Sequence, residues 1–236
     1  MKVLLLSDIH ANLTALQAVL RHAADKYGTD LPVIHLGDVI DYCMRPNETI
    51  QELGTIADRF IVNIRGNHEM AYFGVEADRF SSPRGRDAND FTKRILDAVA
   101  LKFIDGMSVR PKTLDLEGHK LLCVHGDLHD IYWGKMSSEE MSAEDYSTYD
   151  FVFSGHTHVP HLHYIFDKTT GRKTAFVNPG SVGQPRNCNP LAQYAVVDLS
   201  AFSVFFEAVA YDIAFEQSLF SNQLHQYYRE RLAKGT

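Results

Sequence analysis

The sequence predicts an α/β protein built around two β-sheets, on three observations. Short aliphatic runs alternate with amphipathic helical patterns at the start of the chain, the arrangement of parallel βαβ connections. From residue 161 onward, runs rich in aromatic and β-branched residues follow one another with turn residues between them, which predicts antiparallel strands of a second sheet. Finally, five motifs of Asp, Asn and His stand at the ends of apolar runs, so the predicted strands carry polar side chains to one place.

The first strand covers residues 2–6, with Asp8 and His10 in the loop beyond it. Asn12 suits the cap of the next helix, since its side-chain oxygen can accept from the free N–H groups of the first turn. Leu13, Leu16, Val19, Leu20 and Ala23 give that helix one apolar face, and Gly28 suits a left-handed stop. A second strand follows over 33–36, an amphipathic helix within 47–60 and a third strand over 61–64. Parallel connections place ligand sites beyond the carboxyl ends of their strands, where Asp8, Asp38 and Asn67 fall.

The chain then turns polar over 76–89, with a loop at 81–85 and a helix over 90–101. This insert reads as a surface connection, with a lid that shapes substrate access as the alternative. A strand over 120–124 ends at His125, and residues 137–149 read as a solvated helix. Strands are predicted over 151–154, 161–166, 174–177, 193–199 and 203–211. Asp212 can cap a terminal helix over about 212–233, in which Ile213, Phe215, Leu219, Phe220, Leu224, Tyr227, Tyr228 and Leu232 form a wide apolar face. Core packing is the expected use of that face, and a homodimer contact the alternative.

A chain of 236 residues with 45% apolar residues can build a sizeable core. No Pro/Gly/Ser-rich linker divides it, so residues 1–236 are expected to form one domain. Twenty-three Lys and Arg against 30 Asp and Glu give a net charge of −7, and no basic run suggests a phosphate-backbone groove, which disfavours nucleic acid as a partner. The apolar run at residues 3–6 is shorter than a secretory signal core of ~7–15 residues, and no stretch approaches the ~20 of a membrane span. Three cysteines, Cys43, Cys123 and Cys188, without Cys-x-x-Cys spacing, argue against a disulfide framework or zinc ribbon. These features predict a cytoplasmic protein with no membrane partner.

Five ordered motifs carry the functional signal: Asp8-Ile9-His10, Gly37-Asp38-Val39-Ile40-Asp41, Gly66-Asn67-His68-Glu69, Val124-His125-Gly126 and Gly155-His156-Thr157-His158. Together they resemble the calcineurin-like metallophosphoesterase family, in its compact bacterial and archaeal branch, and the loop 178–186 resembles one of that branch. The resemblance implies a four-layer αββα sandwich of two mixed sheets flanked by helices, with the site on one edge.

Asp8, His10, Asp38, Asn67, His125, His156 and His158 offer carboxylate, amide and imidazole donors without thiolate. This set suits Mn²⁺, Fe or Zn²⁺ better than Ca²⁺ or structural zinc, with Mn²⁺ preferred. Seven donors exceed one tetrahedral ion, whereas two metals sharing a carboxylate would use them all. The resemblance makes Asp38 the shared ligand, with Asp8, His10 and His158 on one metal and Asn67, His125 and His156 on the other. It further implies attack on phosphorus by a metal-bridging hydroxide, with His68 over the phosphate as general acid. Asp41 can orient His68 and favour its charged form. Arg186 and Asn67 are the candidate substrate contacts, since a guanidinium fork suits phosphate oxygens.

The implied activity is hydrolysis of a small phosphodiester or phosphomonoester, nucleotides included. Alternatives are a dinucleoside polyphosphate hydrolase, a protein serine/threonine phosphatase, or a non-catalytic scaffold of the same fold, which would be expected to have eroded ligands. His22, His35, His119 and His225 read as ordinary polar groups, and His129, His161 and His163 as supporting or surface residues.

Overall fold

Two five-stranded sheets lie face to face with helices outside them, in a computed structural model that describes residues 1–142, 144–168 and 171–236. In chain order the elements are β1 (Lys2–Leu6), α1 (Leu13–Tyr27), β2 (Val33–His35), α2 (Pro46–Gly54), β3 (Phe60–Asn63), α3 (Asn67–Tyr72), α4 (Pro83–Ile95), α5 (Ala98–Gly106), β4 (Lys112–Leu116) and β5 (His119–Cys123). There follow α6 (Ser138–Met141), β6 (Phe151–Phe153), β7 (His161–Phe166), β8 (Lys173–Asn178), β9 (Ala192–Asp198), β10 (Ser203–Val209), α7 (Ile213–Ser218) and α8 (Gln226–Leu232).

The first sheet has the order β10-β9-β1-β2-β3 and the second β4-β5-β6-β8-β7. Each contains three parallel strands, β1-β2-β3 in one and β5-β6-β8 in the other; antiparallel pairing adds β9 and β10 on one side of the first sheet and β4 and β7 at the two edges of the second. Strand alternation sorts the core into layers. Val3 and Leu5 of β1 face the other sheet, where they meet a cluster containing Leu121, Phe151, Phe153 and Val177. Leu4 and Leu6 face outward into a cluster with Leu16, Val19, Ile50 and Ile104 of the helices. On the far side, Leu122, Val152 and Phe176 pack under Met136, Met141 and Tyr146.

The structure corrects the sequence expectation in several places. The strands expected at 193–199 and 203–211 do not extend the second sheet; they are β9 and β10, and β9 returns to pair with β1, Lys2 opposite Asp198. β9 is buried along nearly its whole length, which suits an interior strand, but a pairing across the whole chain leaves no local pattern. β8 pairs antiparallel with β7, as expected, and parallel with β6 on its other side. The helix expected at 90–101 is two helices: α4 starts at Pro83, inside the expected loop, and α5 starts after Asp97, whose side chain accepts from the Ala100 N–H at 2.8 Å. Strand β4 carries mostly exposed side chains and therefore leaves no apolar run in the sequence.

Within 137–149, α6 is one short turn and a 3₁₀ turn covers Glu144–Tyr146, while Ala143 lies outside the described residues. The terminal helix is also split. Asp212 caps α7 through the Phe215 N–H, as expected, but His225 caps a separate α8. Leu224, Tyr228 and Leu232 are buried whereas Phe215 and Tyr227 stay exposed, so the broad apolar face is divided. Gly28 ends α1 with φ 99° and ψ 160°, extended rather than left-handed helical. Among the described residues, no helix is long and apolar enough to cross a membrane.

Candidate metal centre

The parallel strands of both sheets point their carboxyl ends toward one edge. The loop after β1 supplies Asp8 and His10, that after β2 supplies Asp38 and Asp41, and the turn after β3 opens into α3 with Asn67 and His68. From the second sheet, the loop after β5 brings His125 and that after β6 brings His156 and His158. Asp8, His10, Asp38, Asp41, Tyr42, His156 and His158 all have φ between +50° and +69°. Such left-handed residues cost on the order of 1–3 kcal/mol each and persist only where their surroundings over-determine them.

Part of that determination is visible. The loops after β1 and β2 are zipped together by Asp8 N–H to Gly37 O, His10 N–H to Asp38 O and Ala11 N–H to Val39 O, at 2.8 to 3.0 Å. Beneath them Glu69, fully buried, accepts four backbone N–H groups: Asp38 and Gly66 on Oε2 at 2.9 and 2.8 Å, Val39 and Ile40 on Oε1 at 2.8 and 3.2 Å. Glu69 closes the Gly66-Asn67-His68-Glu69 motif, yet nothing in the sequence announces this buried acceptor role.

The donor set fits divalent cations on a physical ground. His10 Nδ1 faces the Ile40 carbonyl at 2.9 Å, and His158 Nδ1 faces the Gln184 carbonyl at 2.6 Å. A carbonyl only accepts, so each Nδ1 carries the proton and each Nε2 is a bare lone pair. Burial first of all holds both histidines well below the usual imidazole pKa, so neither gains a second proton. Yet their Nε2 atoms stand 3.1 Å apart, and His158 Nε2 is 3.2 Å from Asp8 Oδ1, an oxygen that is buried and has no hydrogen-bond partner. Acceptors crowded this way repel one another unless a cation sits among them.

Asp8, His10, Asp38 and His158 offer one group of ligand atoms within 4.8 Å of one another, and Asp38, His125 and His156 a second. Asp38 belongs to both. Asn67 Oδ1 joins the second group, 3.0 Å from His125 Nε2 and 2.9 Å from His156 Nδ1. All seven expected ligands are thus gathered in one place. The electrostatics reflect the same crowding: burial, with Asp38 close by, raises Asp8 to about 7, and although burial opposes it, the Asp38 carboxylate raises His125 to about 9.

His68 stands beside the cluster. Its Nδ1 meets Asp41 Oδ2 at 2.6 Å, and Asn89, which the sequence did not single out, donates to that oxygen at 2.8 Å and to the His68 carbonyl at 3.1 Å. Burial works against charge on this ring, yet Asp38 and Asp41 hold its pKa well above the usual imidazole range. Tyr42 packs on both His68 and His10, with ring centroids 4.5 and 4.4 Å apart, and Tyr228 of α8 stacks on Tyr42 at 4.5 Å. Arg186 lines the same cleft; its backbone N–H bonds to the His158 carbonyl, and its buried Nε has no partner.

The remaining histidines lie elsewhere. His22 bonds to the Tyr194 hydroxyl, His35 to Asn63 Oδ1, His119 packs on Phe151 and His225 caps α8. His129 pairs with Glu140 and Asp145 at the surface, while His161 and His163 lie on β7. A side chain at Gly66 would meet Asp38 Oδ1 and, at 2.7 Å, His125 Cε1. Gly66→Ala is therefore expected to cost about 1–3 kcal/mol and to lower metal content, as read by thermal unfolding and metal analysis.

The cleft over the cluster encloses about 570 Å³ and is lined by Asp38, Asn67, His68 and His156 on its floor and by Phe80, Trp133 and Lys135 among others. Comparison with known proteins agrees with this geometry. Residues 1–201 match the model of the calcineurin-like phosphoesterase superfamily domain. An uncharacterised protein of Methanocaldococcus jannaschii is 30% identical over 99% of this chain and 98% of its own length. The crystal structure of a metallophosphoesterase from Sphaerobacter thermophilus superposes with a TM-score of 0.76 at 30% identity, over the whole of both chains. A hypothetical protein of Pyrococcus horikoshii shares the fold at 18% identity, with a TM-score of 0.82 over 100% of this chain and 98% of that one.

Proposed function

The chain belongs to the calcineurin-like phosphoesterase superfamily, and from that premise we propose that it is a two-metal phosphoesterase cleaving phosphodiester or phosphomonoester bonds of small molecules. The observation that supports this most directly is the set of buried lone pairs turned on one another: His10 Nε2, His158 Nε2 and the unpartnered Asp8 Oδ1. Asp8, His10, Asp38 and His158 would hold one cation, and Asp38, Asn67, His125 and His156 the other. When bound, such a pair supplies Lewis-acid stabilisation of phosphoryl oxygens and a nucleophile at neutral pH. Nitrogen and oxygen donors without thiolate suit Mn²⁺, Fe or Zn²⁺, and Mn²⁺ is the metal to restore first.

The chain's own groups do the rest. Asn67 contributes a neutral oxygen, which limits negative charge where an anionic phosphate must approach. The Arg186 guanidinium lines the cleft, and its fork of N–H donors suits phosphate oxygens. His68 is fixed by Asp41 through Nδ1, and that carboxylate favours the charged ring, so its Nε2 proton would be offered to the departing oxygen.

The test is hydrolysis of bis-p-nitrophenyl phosphate by chelator-stripped protein, before and after Mn²⁺ is restored. Activity should be absent before, return with the metal, and fall at least about 100-fold in Asn67→Ala. No turnover with Mn, Fe or Zn, and with monoesters also tried, would overturn the reading in favour of a scaffold.

A further inference from the structure

The outer wall of the cleft is built more carefully than a surface connection needs. Phe80, from the insert after α3, is buried against His68 with ring centroids 5.0 Å apart. Trp133, from the loop after β5, meets Phe80 edge-on at 5.3 Å and His156 at 5.9 Å. Two segments distant in sequence thus form one aromatic wall running from His68 to His156.

Arg79 locks that wall. Its guanidinium is 5.5 Å from the Trp133 ring centre and bonds Asp130 through both terminal nitrogens, at 2.5 and 3.1 Å, as well as Glu76 at 3.0 Å. Its charge is therefore already matched by carboxylates. Lys135 lines the same cleft, is exposed, and has no ion-pair partner among the described residues. The wall thus offers planar rings of fixed orientation beside one uncompensated cation.

We propose that Phe80, Trp133 and Lys135 form a subsite for a nucleotide, with the base against the rings and a second anionic group at Lys135. This rests on the phosphoesterase reading, which is what places the first phosphate beside Asn67 and His68. The cleft volume, about 570 Å³, is in the range of small-molecule sites. Rings favour a planar π-system over a sugar or an alkyl chain, by about tenfold or more in affinity for one stacked base. The charged rim disfavours a lipid tail.

Trp133 is the protein's one tryptophan, so its fluorescence reports this wall alone. The Mn²⁺-loaded protein would be titrated with AMP, ADP and ribose 5-phosphate in stopped flow, before turnover. AMP should quench the tryptophan and bind about tenfold more tightly than ribose 5-phosphate. ADP should bind more tightly still, and Lys135→Ala should remove that extra affinity. In Trp133→Ala, inhibition of bis-p-nitrophenyl phosphate hydrolysis by AMP should weaken about tenfold and inhibition by ribose 5-phosphate stay unchanged, with Trp133→Phe restoring most of the loss.

Equal affinities for AMP and ribose 5-phosphate, or equal weakening of both in Trp133→Ala, would overturn the subsite. Ester hydrolysis that persists without base preference sinks the subsite alone. A quench by AMP without hydrolysis of any ester sinks the phosphoesterase reading and leaves the subsite standing.

Discussion

Glu69→Ala is expected to lower the stability of the metal-free protein by about 3 kcal/mol, or roughly 6–12 °C in Tm for a chain of this size. Two effects compete. The buried carboxylate is costly where it stands, since burial and the neighbouring Asp38 both push its pKa upward. Its removal, however, leaves the N–H groups of Asp38, Val39, Ile40 and Gly66 without an acceptor, at about 1–3 kcal/mol for each buried donor. Four donors outweigh one desolvated carboxylate. Glu69→Gln should be nearly as damaging, because its amide NH₂ would face two of those donors. Urea unfolding in excess chelator separates this effect from metal loss. A change below about 1 kcal/mol would show that the left-handed backbone at Asp38 is held by the zipped loops alone.

His68→Ala should leave metal content unchanged and lower kcat on esters with poor leaving groups by about 10²–10⁴-fold, with less than about tenfold loss on nitrophenyl esters. The reason is geometric: the ring stands beside the donor cluster, with Nδ1 committed to Asp41. An activated leaving group departs without a proton, whereas an alkoxide does not. Asp41→Asn should give a smaller loss and move the alkaline limb of the kcat/KM profile to lower pH, since a carboxylate beside an imidazole favours its charged form. Equal losses on both ester types would end the role of His68 as proton donor.

The clustering of these donors was legible because each follows a strand that its own apolar run announces, and the order of motifs survives any error in strand ends. Asp8, Asp38 and His125 needed only local reading. Glu69 did not reveal itself, because three of its four backbone partners lie about 30 residues away. Asn89 and Tyr42 escaped for the same reason: their value lies in contacts with His68 and Asp41 that no spacing encodes. The start of α4 was within reach, since Ser82-Pro83 is a helix-opening pair and Asp97 before Ala98 marks a second start. Placing β9 beside β1 was beyond local pattern. Burial along a strand shows that it needs covering and neighbours, without showing which strand supplies them.

That last pairing also sets a timetable for synthesis. β1 sits in the middle of its sheet, yet one of its two neighbours, β9, carries Ala195 opposite Leu5, about 190 residues later. At about 5–20 residues per second on a ribosome, roughly 10–40 s separate the two strands. Throughout that interval the apolar edge of β1 is open while α1 and β2 are already available, so the nascent chain carries half of its binding edge before the sheet that supports it can close. A ribosome-bound chain arrested before residue 192 should therefore recruit holdase chaperones, and one arrested well after residue 209 should have released them.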